Sequence, residues 1–479
     1  MAGLANSNIV ADLKIDNLNT NLKNLENELN EFFIEPYPYE EIKNLIRQLL
    51  KINKKLYLNI DEIKNLVIKK GSIEDIDDKI ILYTGLLQYI HSLFGLIKMA
   101  QQSNIPNSIV YLVDNLTINL KDDAIFIVVP SYTHNFYYIE LKKQLKQKFI
   151  NIIDDMDDIF SKDDKKSVLL IYPYIYNNNI SIITILAHEI GHYIEFNNDS
   201  INKLISNIHF DPKEIENIAK KQLEVNKEKG TSDHYFDLDT MKAVIHKEAQ
   251  DIMKNWLQEL FCDLIGFKLI GPMYLIINTE FLLSIGKSTI LYPKHPSIEM
   301  RLKYLFDTYG KSGFNTTEIK EENIKEYKKY LEDIKKYIDS IKITLEPHTI
   351  SKIAYEKAKS VINLLQEDVN DVIKPLNIEY KPDVYIKETE ILVKKLSNLV
   401  LPCEIEQGKP ANIVSILNSS NIFKILLSKK IFETQKDGLA MSFLDFQYQI
   451  DQFVARSVEL STIHQKFLKF EGEINECKE

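Results

Sequence analysis

Apolar residues return every three or four positions along the start of the chain. Ile15, Leu18, Leu22, Leu25, Leu29 and Phe32 fall on one face of a helix that ends before Pro36. The stripe covers fewer than three clean heptads, so an intramolecular helix–helix contact is expected, with a free coiled coil as the rival reading. The helical pattern resumes near Tyr39 and runs with interruptions to about Gln102. The texture then changes. Ala124 to Val129 is a β-branched and aromatic run stopped by Pro130, the signature of a buried strand, and Ser167 to Tyr174 is a second. Asn177 to Asn179 form a turn into the next helix. Residues 197–240 are polar and lysine-rich and read as a helical insertion with a loop at 228–237. An amphipathic helix is predicted from about Lys242 to Ile270, ended by Gly271 and Pro272. Beyond Gly310 come a charged helical face and further helices, broken at 346–348, 401–410 and 435–438. The pattern predicts a mainly α fold with a small β-sheet, of the α+β class.

One stretch complicates this picture. Ile80 to Ile97 contains no Asp, Glu, Lys or Arg and is just long enough to span a bilayer, but Tyr83, Thr84, Gln88, His91 and Ser92 dilute it. A buried helix is expected, and a membrane-associated protein is the competing reading. The N-terminus has no basic start and apolar run of a secretory signal, which points to a cytoplasmic protein.

At 479 residues the chain is long enough for two or three domains. A formal charge of −10 argues against broad binding to nucleic acid, which requires a basic face. Cys262, Cys403 and Cys477 are too widely spaced for a disulfide framework or a thiolate cluster, and are expected to be packing or surface residues in a reducing compartment.

The chemistry concentrates in "TILAHEIGHYIEF". His188 and His192 stand at i and i+4, so on a helix both imidazoles leave one face, close enough to grip a single zinc ion. Glu189 beside them can take a proton from water activated by that zinc, the division of labour that amide hydrolysis needs. A catalytic zinc has three protein ligands and an open position, and "NWLQELFCDLIG" offers the third: Glu259 as ligand, with Asp263 four residues on to accept a hydrogen bond from a ligating histidine. Gly191 weakens the helix it sits in, so a close approach by the second ligand helix is expected there. Ser167 to Tyr174 could offer a strand edge to a peptide, or be an internal strand with both edges paired. His91, His134, His209, His234, His246, His348 and His464 each stand alone and are read as packed or exposed side chains, His246 being the least settled because it precedes Glu259 on the same helix. No phosphate loop or serine or cysteine nucleophile setting is recognisable.

"HEIGH", "ELFCD" and "HPSIEMR", in that order over residues 165–310, resemble the gluzincin metallopeptidases, closest to the HtpX-like and CAAX-prenyl-protease-like group. The resemblance implies zinc held by His188, His192 and Glu259, with Glu189 as general base and Asp263 behind the ligands. It also raises His295 as a residue touching a reaction intermediate or the metal, against the plainer reading in which Pro296 starts a helix anchored by Arg301. The expected organisation is an N-terminal helical region (1–105), a zincin-like metallopeptidase core (106–310) with its insertion at 197–240, and a C-terminal helical region (311–479). The expected function is zinc-dependent hydrolysis of a peptide or protein substrate. The alternative is a zinc-binding regulatory protein with a latent or non-catalytic site, working through partners bound by the flanking helical regions.

Overall fold

The computed structural model describes residues 2–68, 73–120, 124–149, 152, 159–160, 165–206, 208–228, 237–285, 293–317, 321–342, 349–435 and 441–476. Most of the predicted loop at 228–237, the predicted breaks at 346–348 and 436–438, and His234, His348 and Cys477 lie outside these residues. The fold is mainly helical with a three-stranded mixed sheet and a two-stranded hairpin. It forms two compact units, residues 1–114 with 120–177, and residues 115–119 with 178–479.

In the first unit, helices α1 (Ala2–Phe33), α2 (Glu41–Ile68) and α3 (Ile73–Met99) pack together. The α1 stripe Ile15, Leu18, Leu22, Leu25 and Leu29 is buried, so its apolar face is satisfied within the chain. Phe32 completes it by meeting Phe94 edge to face, with ring centroids 5.3 Å apart. Among the described residues, α3 is the one helix long and apolar enough to cross a membrane. Here its Ile90, Leu93, Phe94 and Ile97 are buried, while Ile81 and Leu82 face outward. Lys98 near its end pairs with Glu28 of α1 at 2.8 Å.

Two of the sheet's strands are those expected from the sequence. β1 (Ala124–Ser131) runs parallel to β3 (Lys166–Pro173), pairing Ala124 with Lys166 through Ser131 with Pro173. Between them in sequence, β2 (Tyr137–Glu140) pairs antiparallel with the other side of β3, Tyr137 opposite Ile171. The strand order is β1-β3-β2, so the Ser167 to Tyr174 segment is the internal strand. It is paired on both sides and does not offer the edge to a peptide.

The second unit is organised around one helix. α4 (Asn107–Leu116) and α5 (Leu141–Phe149) precede it in the chain, α5 within the first unit; in the second unit α6 (Leu186–Asn198) and α7 (Pro212–Glu228) pack on α8 (Leu238–Ile270). Asp237 caps α8 by accepting from the Thr240 N–H, and Trp256, Leu257, Leu260, Phe261, Leu264 and Phe267 are fully buried along it. Gly271 ends it with φ +78, a conformation that suits glycine, and Pro272 opens α9 (Pro272–Ile285). The polar insertion contributes α7, which packs Ile215, Ile218 and Ala219 inward against α8.

The longer helices that follow are α10 (Ile298–Lys311), α11 (Glu322–Ser340), α12 (Ile350–Leu376), α13 (Pro382–Ser397), α14 (Ile413–Ile422) and α15 (Phe443–Glu476). The predicted break at 401–410 is a hairpin, Glu404–Glu406 against Lys409–Pro410, turning at Gly408 with φ +76.

The expected divisions at 105/106 and 310/311 do not coincide with the two units. β1 packs on α3, so the strands belong with the N-terminal helices, and α12 lies along α8, so the C-terminal helices help to enclose it. The end of α8 shows how. The Lys268 carbonyl accepts from the Tyr380 N–H at 2.9 Å. Buried Asn418 donates to the Ile270 carbonyl at 2.8 Å and accepts from the Met273 N–H at 3.0 Å. Substituting Asn418→Ala strands both backbone groups in the interior and is expected to cost about 1–3 kcal/mol of stability, read as a lower urea midpoint at unchanged m.

Candidate metal centre

α6 carries the histidine motif on a buried approach. Asn179 caps the short turn Ile180–Ile183 that precedes it, and Ile183, Ile185, Leu186, Ala187 and Ile190 are all buried. These residues hold α6 against α8 along a contact that leaves no room for a side chain at Gly191. A Cβ there would lie 2.8 Å from the Cys262 Cα and 3.2 Å from the Ile265 Cβ. The close approach expected of this glycine is therefore present, and Cys262 is the residue it meets.

The approach brings the predicted residues together. His188 Nε2 is 3.4 Å from Glu259 Oε2, and His192 Nε2 is 3.7 Å from Glu259 Oε1. Two donors sharing a tetrahedral zinc at bonds of about 2.0–2.1 Å stand roughly 3.3 Å apart, so this donor chemistry and spacing fit such an ion. Behind them, His188 Nδ1 donates to Asp263 Oδ1 at 3.0 Å, which turns Nε2 toward Glu259. His295 stands at the exposed rim, with Nδ1 3.3 Å from Glu259 Oε1. Glu189 is buried alongside.

A second donor arrangement overlaps the first. Ligand atoms of His188, His192 and Cys262 all lie within 4.8 Å of one another. Glu259 instead reaches the two histidines with different oxygens. Glu259 stands 3.4 and 3.7 Å from the two imidazole nitrogens, and Cys262 brings a further donor atom to the same pair of histidines.

The sequence did not expose what surrounds Asp263. Its fully buried carboxylate receives Arg301 Nε on Oδ2 at 2.7 Å and Arg301 Nη2 on Oδ1 at 2.7 Å. Asn278 and Tyr274 of α9 add donors to Oδ1 at 3.3 and 3.4 Å. The third guanidinium nitrogen, Nη1, lies 3.0 Å from Glu259 Oε2. Arg301 thus ties together the ligand and the carboxylate behind it, and Ser297 starts its helix by accepting from the Met300 N–H. Gly266 makes space for the Tyr274 ring, since a Cβ there would come within 2.3 Å of it. The anchoring reading of Arg301 was within reach of the sequence, but its acidic partners were not.

The charges are strongly coupled. Burial opposes ionisation of Asp263 and Glu259, yet Arg301 and His188 outweigh it, holding Asp263 at about 2 and Glu259 well below the usual carboxylate range. Burial also disfavours a charged His188, but the hydrogen bonds and charges of Asp263 and Glu259 lift it to about 10. Burial and the charge on His188 push His192 down to about 4. Burial raises Glu189 to about 7, with opposing pulls from His188 and Glu259. Two buried carboxylates therefore recruit positive charge from Arg301 and from a proton on His188, a proton whose place a divalent cation would take.

The other histidines have separate surroundings. His246 meets Phe210 edge to face at 5.5 Å, His91 Nδ1 lies 3.0 Å from the Leu87 carbonyl, and His464 pairs with Glu404 at 3.1 Å.

Gly191→Ala should force α6 and α8 apart. The expected result is a loss of about 1–3 kcal/mol in denaturant unfolding, together with weaker zinc uptake by elemental analysis of the purified protein.

Comparison with known proteins finds no matching family model, no matching curated protein and no matching solved structure.

Proposed function

We propose that this chain is a zinc-dependent peptidase that hydrolyses peptide bonds in a peptide or protein substrate. The observation that carries the reading is the convergence of His188, His192 and Glu259 from two helices, with the Glu189 carboxyl buried beside them near neutrality. Zinc, when bound, would polarise the scissile carbonyl and make water a stronger nucleophile. His188, His192 and Glu259 hold the ion, and Asp263 fixes the His188 tautomer.

Glu189 is the general base. A carboxyl poised near neutral pH can accept the proton of the attacking water and return it to the leaving amine. His295, exposed at the rim, lies on the side from which a substrate can arrive. A cytoplasmic location, and partner binding by the helices outside the site, belong to the same proposal.

Two measurements test this reading. Purified protein should contain stoichiometric zinc, and Glu189→Gln should keep the zinc while hydrolysis of an unfolded protein falls by about 10²–10⁴-fold. Zinc retained with equal hydrolysis in both forms would remove Glu189 from the mechanism. Asp263→Asn should weaken zinc affinity by about 10–100-fold in a chelator competition, because the tautomer of His188 loses its fixing charge.

A further inference from the structure

Cys262 lies three residues after Glu259, on the same side of α8, and its Cα sits against Gly191, between His188 and His192 in the sequence of the facing helix. Its side chain is fully buried. Its sulfur belongs to the set of donor atoms, one from each of His188, His192 and Cys262, that lie within 4.8 Å of one another. Both Glu259 oxygens are meanwhile shared, Oε2 with Arg301 at 3.0 Å and Oε1 with His295 at 3.3 Å.

We infer that Cys262 is itself a metal ligand, binding the ion through sulfur alongside His188, His192 and Glu259. The inference rests on the zinc reading above. Bonds of about 2.3 Å to sulfur and about 2.0–2.1 Å to nitrogen separate the two donors by roughly 3.6 Å, so a sulfur and a nitrogen within 4.8 Å of one another draw in by up to about 1.2 Å. The thiol proton is released to solvent as the sulfur binds.

Two properties follow. A thiolate favours zinc or cobalt over magnesium or calcium. Four protein donors also complete a tetrahedral set, so the sulfur occupies the position that hydrolysis would leave to water. Water then enters by displacing the sulfur or as a fifth donor, so the sulfur slows the hydrolysis proposed above without preventing it.

Cobalt substitution tests this without using activity. In full-length protein carrying Cys403→Ala and Cys477→Ala, Cys262 is the sole thiol of the chain's 3 cysteines. Cobalt loading should give a thiolate-to-metal charge-transfer band in the near ultraviolet. Adding Cys262→Ala should abolish the band while cobalt still binds at saturating metal. Affinity should fall by more than the ~10–100-fold typical of a partner outside the coordination sphere. Cys262→Ser, closer in volume, should also lack the band and guards against a loss of fold. Bound cobalt without the band in the Cys262-containing protein would overturn the inference and leave the peptidase reading standing. No cobalt or zinc uptake at all would overturn both.

Discussion

The Asp263 carboxylate is the interaction on which the centre depends. An ionised carboxylate in a fully buried position is costly unless its oxygens are taken up by donors, and here Arg301, His188, Asn278 and Tyr274 supply them. Each donor comes from a different stretch of chain than Asp263 itself. Satisfying one charge therefore fixes α6, α9 and α10 against α8. The same guanidinium also reaches Glu259, so the residue that neutralises the hub orients the ligand.

This coupling explains which parts of the site were legible in the sequence. His188, Glu189 and His192 share one short helix, and Glu259 and Asp263 another, so helical spacing was enough to place each group on a face. The convergence of the two helices was signalled by Gly191, whose cost within a helix implied a neighbour too close for a side chain. Arg301 was visible only as a helix anchor, because an ion pair across 38 positions has no local signature. Tyr274 and Gly266 were invisible for a related reason: one makes room for the other, and neither residue is unusual alone. The nearness of Cys262 to the two histidines has no local signature either, because those neighbours come from another helix and the spacing of cysteines along the chain does not report on them.

The fold divides in the same way. Apolar periodicity placed α1 and the long α8, and β-branched runs placed β1 and β3, since these patterns reflect burial directly. Strand order depends on pairing at a distance, which is why the internal position of β3 was left open by its composition. The division into two compact units likewise follows contacts at a distance. Residues 311–479 look like a separate helical region by charge and texture, yet α12 lies along α8 and Asn418 closes its end.

That seating of α8 by the C-terminal helices acts as an angular index. From Ile270, where Asn418 grips the backbone, to Glu259 runs uninterrupted helix in which each residue advances by about 100°. A slip of a single position at the grip would swing the carboxylate roughly a quarter turn, out of the arc shared by the two imidazoles. The distal polar clasp, made by side chains that touch neither histidine, thereby sets the azimuth of a ligand about three helical turns away.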